Sequence, residues 1–274
     1  MTFMDSIILY ILVGAASGTL AGLLGLGGGV VIVPTLAYIF SQMGISHDHI
    51  MHLAIGTSLT TMVFTSFFST LAHHKYKRVE WQVVKKFVPG IIIGSILGTF
   101  LSNQLETKSL TLIFAIYLIL ISIQMFIKSN SDLNKSTKKS KLKESYPILT
   151  LGGMGVGTLS GLLGVGGGTL TVPFLTLLRK KIHNAIGISA ASGLFATLFG
   201  TISYIGFSLG TPNLPEGSFG FVYLPAVIVI ALVSSIFAPL GSKLSGVLSA
   251  KVLMRVFSII LLFISIKLLV TYVT

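Results

Sequence analysis

The sequence predicts an all-α polytopic membrane protein made of two inverted five-segment repeats, each starting with a glycine-broken helical hairpin. Three observations lead there. Of the 274 residues, 53% are hydrophobic and only 9% charged, with a mean hydropathy of +0.93. That balance is too apolar for a soluble fold, and the chain is long enough for several spans. The stretch from Gly18 to Pro34 returns as Gly157 to Pro173, and without a gap every glycine and the terminal proline of one copy meets its counterpart in the other. Finally, nearly all Lys and Arg fall on one side of the chain under a single alternating topology.

Taken in order, the first apolar segment runs from about Ser6 to Leu24 and stops at the glycine loop. A shorter one covers Gly29 to Phe40, roughly 18 Å at 1.5 Å per helical residue, against a hydrocarbon core of about 30 Å. It reads as a half-helix, and the pair as a hairpin that dips into the membrane. Full-length segments follow near 51–72, 83–101 and 108–127. A polar, Ser/Lys-rich linker at 128–146 separates this first repeat, 1–127, from the second, 147–274. There the pattern recurs: 147–164, the glycines, a half-helix to Leu178, then spans near 184–208, 220–241 and 252–273.

Cytoplasmic loops carry the excess of Lys and Arg. Lys75, Lys77, Arg78, Lys85 and Lys86, the linker lysines, Arg179 to Lys181, and Lys243, Lys251 and Arg255 share one side, leaving Lys108 and Lys267 for the other. Both termini are then extracytoplasmic, and the two halves enter the membrane from opposite faces. The net charge of +12 is confined to short loops and points to no nucleic-acid partner; the bilayer is the expected surroundings, in the plasma membrane. The absence of cysteine excludes disulfides and thiolate metal sites.

Inverted repeats with interrupted helices place a transporter's site at the midplane between them. Each glycine loop opens a half-helix whose first N–H groups lack an intrahelical partner. With the partial positive charge of a helix start, those donors form an anion site without Lys or Arg. Glycine leaves the amides uncovered and accepts positive φ. The candidate substrate-binding residues are therefore Gly25, Gly27, Gly28 and Gly29 with Gly164, Gly166, Gly167 and Gly168. The carbonyls that end the preceding segments offer a competing site for Na⁺. By contrast, Gly14, Gly18 and Gly22, Gly90, Gly94 and Gly98, and Gly153, Gly157 and Gly161 are spaced by four, and read as close helix packing.

A second repeated stretch follows each hairpin. His52-Leu-Ala-Ile-Gly-Thr-Ser58 matches His183-Asn-Ala-Ile-Gly-Ile-Ser189 at all but two positions. Ser58 and Ser189 are placed to complete the shell of a ligand held by the loops, and Thr57 and Ser192 are weaker candidates. Against this stands the packing role, in which membrane Ser and Thr bond back to their own helix or hold helices together. His52 and His183 fall at the mouths of two half-pathways, more naturally structural than anion-attracting. No metal site is assigned, since His47, Asp48 and His49 have no matching set elsewhere.

None of the seven acidic residues falls in an apolar core, so there is no carboxylate proton relay. Export then needs no co-ion, because an anion leaving a negative interior gains about 2.3 kcal/mol per charge per 100 mV. Paired acids, HExxH and a Ser/His/Asp set are all missing, so no catalytic residue and no cofactor is expected.

The paired Gly-Leu-Leu-Gly-x-Gly-Gly-Gly blocks ending in Pro34 and Pro173, each followed by Ala-Ile-Gly-x-Ser, resemble the two halves of the TauE/SafE sulfite exporter family of membrane anion permeases. The resemblance spans essentially the whole chain. It implies transport of sulfite, a sulfonate such as sulfoacetate, or a related small oxyanion, with the glycine blocks and following serines as the pathway. The second copy departs from the first in having Ile188 where Thr57 stands. The expectation is an exporter working by alternating access; the alternatives are an importer of another small organic anion, or an intramembrane enzyme or scaffold. The sequence leaves the oligomeric state open.

Overall fold

The computed structural model describes residues 3–25, 27–130, 145–244 and 250–272. Most of the expected linker, 131–144, and the extreme termini lie outside the described residues. The first half contains α1 (Phe3–Leu24), α2 (Gly29–Gln42), α3 (Ile50–Lys75), α4 (Trp81–Gln104) and α5 (Thr107–Asn130). The second contains α6 (Tyr146–Leu163), α7 (Gly168–Leu177), α8 (Ile182–Ser208), α9 (Leu224–Leu244) and α10 (Ala250–Tyr272). A short antiparallel β-hairpin, β1 (Ser218–Phe219) and β2 (Val222–Tyr223), precedes α9. It occupies the start of the span expected at 220–241, so α9 begins four residues later than the apolar run suggests.

Among the described residues seven helices, α1, α3, α4, α5, α6, α8 and α9, are long and apolar enough to cross a membrane. The protein is a multi-pass membrane protein. The hairpin arms are unequal. At 1.5 Å per residue α1 covers about 33 Å and α6 about 27 Å, whereas α2 and α7 cover about 21 and 15 Å. Each expected hairpin is thus a crossing-length helix followed by a short one. Large apolar side chains such as Leu12, Ile93, Leu232 and Phe263 remain exposed, as suits a lipid-facing surface rather than water.

Helix pairing is unchanged when the halves are exchanged. α1 packs on α9 as α6 packs on α4; α3 meets α9 as α8 meets α4; α3 pairs with α8 and α5 with α10. The four-spaced glycines make the tightest of these contacts. Gly14, Gly18 and Gly22 lie in order against Val233, Ser234 and Ala238, so α1 and α9 run parallel. Gly90, Gly94 and Gly98 meet Thr150, Met154 and Thr158 of α6 in the same parallel sense, and Gly153, Gly157 and Gly161 meet Phe87, Ile91 and Ser95 in return. A methyl group at most of these positions would overlap a carbonyl of the partner helix, the small-residue packing anticipated from their spacing.

At the centre α3 and α8 run antiparallel: Gly56 faces Tyr204, Leu59 faces Gly200, and Ser66 faces Gly193. Both are buried along most of their length. One end of this pair carries Lys75, Arg78 and Lys180, and is called the basic end below. The other carries His49, His52 and Phe221, whose rings lie together, with His52 centred 5.0 Å from Phe221; it is called the aromatic end.

Candidate functional site

Six of the eight expected glycines adopt the left-handed conformation that favours a residue without a side chain. Their φ values are 66°, 73° and 82° at Gly25, Gly27 and Gly28, and 68°, 71° and 72° at Gly164, Gly166 and Gly167. The roles divide in the same way in both loops. Gly25 and Gly164 end the first helix, each amide donating to a carbonyl four residues back, on Ala21 and Ser160. Gly28 and Gly167 cap the second helix. Gly29 and Gly168 are already its first helical residues, and at Gly29 the constraint is proximity. A Cβ there would overlap the Gly164 carbonyl and lie 2.7 Å from the Val165 Cα.

The loops therefore touch backbone to backbone. A Cβ on Gly27 would sit 3.2 Å from the Val165 carbonyl oxygen and 3.5 Å from the Gly166 Cα. Among the described residues no group accepts from the N–H donors of Gly27, Gly28 and Gly29, or of Gly166, Gly167 and Gly168. Two helix starts with unspent amides thus meet midway along α3 and α8.

The serines act at the other poles. Ser58 Oγ donates to the Gly164 carbonyl at 2.8 Å, and Ser189 Oγ to the Gly25 carbonyl at 2.9 Å. Each half thereby caps the helix end of the other. Instead of being left to a ligand, these two hydroxyl protons are committed to loop carbonyls. These bonds engage one terminal carbonyl of each preceding segment, while among the described residues the amide donors stay free. Thr57 and Ser192 are not brought to the loops. The Thr57 hydroxyl accepts from the Tyr223 N–H at 3.0 Å and anchors the β-hairpin at the aromatic end. Ser192 Oγ donates back to Ile188 of its own helix at 2.8 Å.

A small cavity of about 10 Å³ lies where the loops meet, lined by Gly25, Gly27, Gly166 and Ser189 of the expected set. It is large enough for about one water molecule. Its remaining walls are Ala21, Ser66, Ser69, Ala190 and Gly193, none singled out from the sequence. A signal was available: Ser58, Met62, Ser66 and Ser69 follow at intervals of four, four and three, a single helix face. All its α3 and α8 walls lie between the helix middles and the basic end, so the cavity is displaced that way.

His73 is fully buried in the last turn of α3, with Nε2 3.1 Å from the Gly22 carbonyl. Nearby, Arg78 donates to the Ser242 carbonyl at 3.3 Å, and its own carbonyl packs on Gly187. Glu80 receives hydrogen bonds from Asn184 and from Lys180, the latter at 2.6 Å. Burial pushes the Glu80 carboxyl up, but these donors and the Lys180 charge outweigh it and hold the group below the ordinary carboxylate range. Among the described residues no three His, Asp or Glu side chains gather as a metal-binding group.

The family model described as sulfite exporter TauE/SafE matches residues 10–268. The chain belongs to this family. Of its relatives, a Haemophilus influenzae protein named "Probable membrane transporter protein" is 36% identical over 95% of this chain and 97% of its own length. A Methanocaldococcus jannaschii protein of similar name is 31% identical over 92% of this chain and 91% of its own. One from Bacillus subtilis is 36% identical over 63% and 68%. No solved structure matches the chain significantly. This TauE/SafE protein is accordingly a membrane transporter, and the meeting point of its glycine loops is the candidate site.

Proposed function

We propose that this transporter exports a small sulfur-containing oxyanion, sulfite or a sulfonate such as sulfoacetate, by alternating access at the two glycine loops. One observation carries the reading. The donor ends of α2 and α7 meet with their amides unspent, while the adjoining acceptor ends of α1 and α6 are capped by Ser189 and Ser58. The result is a neutral but electropositive cradle suited to an anion. Sulfite is taken from the family's description, and the outward direction from the membrane potential.

The basic end is cytoplasmic and both termini are outside, at the plasma membrane, because Lys and Arg gather at that end. The antiparallel course of the equivalent helices α3 and α8 supports halves inserted with opposite topology. A cavity sized for one water requires the loops to part around an anion, as alternating access demands.

The test is flux from liposomes loaded with sulfite, sulfoacetate, sulfate or acetate under a set potential. Selective movement of a sulfur oxyanion, accelerated by an inside-negative potential and lost in Gly28→Val and Gly167→Val, is the expected result. Flux that both variants retain would remove the loops as the site, and a chemically altered product would favour an enzyme. Cysteines replacing Asp5, Ser136 and Thr274 should be labelled from the outside, the cytoplasm and the outside respectively.

A further inference from the structure

The two halves differ where the loops meet. The gapless register that aligns Ser58 with Ser189 also aligns Leu59 with Ala190, Met62 with Gly193 and Ser66 with Thr197. Each α3 or α8 wall of the cavity therefore has a counterpart nearer the aromatic end. There, however, the space is filled. The Met62 Sδ lies 3.0 Å and 3.4 Å from where Cβ atoms on Gly166 and Gly27 would be, and its Cε 2.9 Å from that of Gly29. The Leu59 methyls sit 3.4 and 3.5 Å from the equivalent point on Gly200. On the basic side those positions are Gly193 and Ala190, and the cavity exists.

A second, independent observation marks the filled side. The glycine blocks align Ala21, a wall of the cavity, with Ser160. Ser160 is fully buried and among the described residues its hydroxyl has no hydrogen-bond partner. An orphaned hydroxyl costs about 1–3 kcal/mol, so its retention beside Gly167 calls for a state in which it is satisfied.

We propose that Met62, with Leu59 behind it, is the plug that decides which face the loop cavity opens to, and that its withdrawal uncovers a mirror-image cavity with Ser160 in its wall. In the described conformation the space beside the loops lies on the basic side, and on this proposal that is the side from which water reaches them. When the loops part, the unbranched Met62 side chain swings aside, the Ser160 hydroxyl gains a partner, and the pathway faces the aromatic end. Methionine suits the task because its three rotatable bonds let it fill or leave an irregular gap at little cost. The proposal rests on alternating access but is independent of which anion is carried.

The native chain has no cysteine, so single cysteines report water access directly. Ser66→Cys and Thr197→Cys occupy equivalent positions on the two sides. In sealed vesicles of either orientation, a membrane-impermeant thiol reagent should label Ser66→Cys from the basic end and leave Thr197→Cys unlabelled from the aromatic end. In Met62→Gly, labelling of Thr197→Cys should rise about tenfold, and Met62→Leu should keep the native pattern. The exchange Met62→Gly with Gly193→Met should reverse it. Met62→Ala stands in if the glycine variant does not insert. Thr197→Cys remaining unreactive when Met62 is shortened, or the exchange leaving the pattern unaltered, would overturn the plug. Labelling needs no substrate, so a failed sulfite assay leaves this result intact, and normal sulfite flux with unchanged labelling refutes the plug alone.

Discussion

The basic and aromatic ends are built by one rule and finished with different chemistry. At each, a loop lays a backbone carbonyl against a glycine near the start of a central helix: Arg78 on Gly187 of α8, and Phe221 on Gly56 of α3. At the basic end the loop is five residues long and is tied by Glu80 to Lys180 and Asn184. At the aromatic end the loop folds into the β1–β2 hairpin and lies ring against ring, Phe221 with His49, His52 and Tyr204. Duplication kept the contact that backbone geometry enforces and let the side chains diverge. One end therefore presents cations and the other aromatic rings.

The sharpest way to break the equivalence of the halves is at the loops. Valine at Gly28 must adopt φ near 82° and place its Cβ 2.8 Å from that of Ser17. Valine at Gly167 has a similar φ of 72°, but its nearest neighbour is a Val156 methyl at 3.0 Å. A branched residue there is a conformational outlier costing about 1–3 kcal/mol before any clash. Both variants should lose flux, and Gly28→Ala should be more damaging than Gly167→Ala when thermal unfolding in detergent is compared. Equal Tm losses would mean that φ alone governs both sites.

A smaller loss is expected at the two end contacts. Gly56→Ala would drive a methyl into the Phe221 carbonyl, and Gly187→Ala into that of Arg78. Overpacking of this kind costs roughly 1–3 kcal/mol. Both should lower Tm alike, while only Gly187→Ala should speed labelling of Ser66→Cys from the basic end. An effect of Gly56→Ala on that labelling would show that the ends are mechanically coupled rather than independent.

Which parts of this could be read from the sequence follows from what each part depends on. The triple-glycine loops, the short arms at Gly29 and Gly168 and the packing glycines were legible because each is a local pattern, and in two copies. Ser58 and Ser189 were legible as members of the loop region, with ligand-shell and helix-joining roles both open. Which partner a hydroxyl finds depends on the opposite half crossing at 2.8–2.9 Å. The β1–β2 hairpin was missed because Phe221, Val222 and Tyr223 continue the apolar run of α9 and carry no helix-breaking signal of their own. Met62 and Gly193 were missed for the opposite reason. A repeat stands out by agreement between its copies, and Met62 and Gly193 occupy one of the positions where the copies differ.

The serine clamps test whether the halves are tied reciprocally. Ser58→Ala and Ser189→Ala each leave one loop carbonyl without its donor, at a cost of about 1 kcal/mol, within the range membrane hydrogen bonds show. If the clamps act independently, the double variant should show the sum of the two Tm shifts. A smaller combined shift would mean that losing one clamp already releases the other, since both loops share the contact at Gly27 and Val165.

The smallest expected effect belongs to the basic end alone, and its sign is fixed by Glu80. Because the folded carboxyl is held below its ordinary value, its contribution is complete above the unfolded pKa of about 4.3. It fades as the pH falls through the lower folded value. The side chain is 34% exposed and Lys180 14%, so solvent screening keeps the gain modest. Glu80→Gln retains an acceptor for Asn184 and Lys180 but removes the charge. Native protein should therefore unfold at a higher Tm than Glu80→Gln at neutral pH, with the gap closing as the pH drops below about 4. A gap that persisted at low pH would assign the loop's attachment to hydrogen-bond geometry rather than charge. The two ends would then differ in the length and shape of their loops, and the distinction between a charged and an aromatic mouth would concern the passing anion alone.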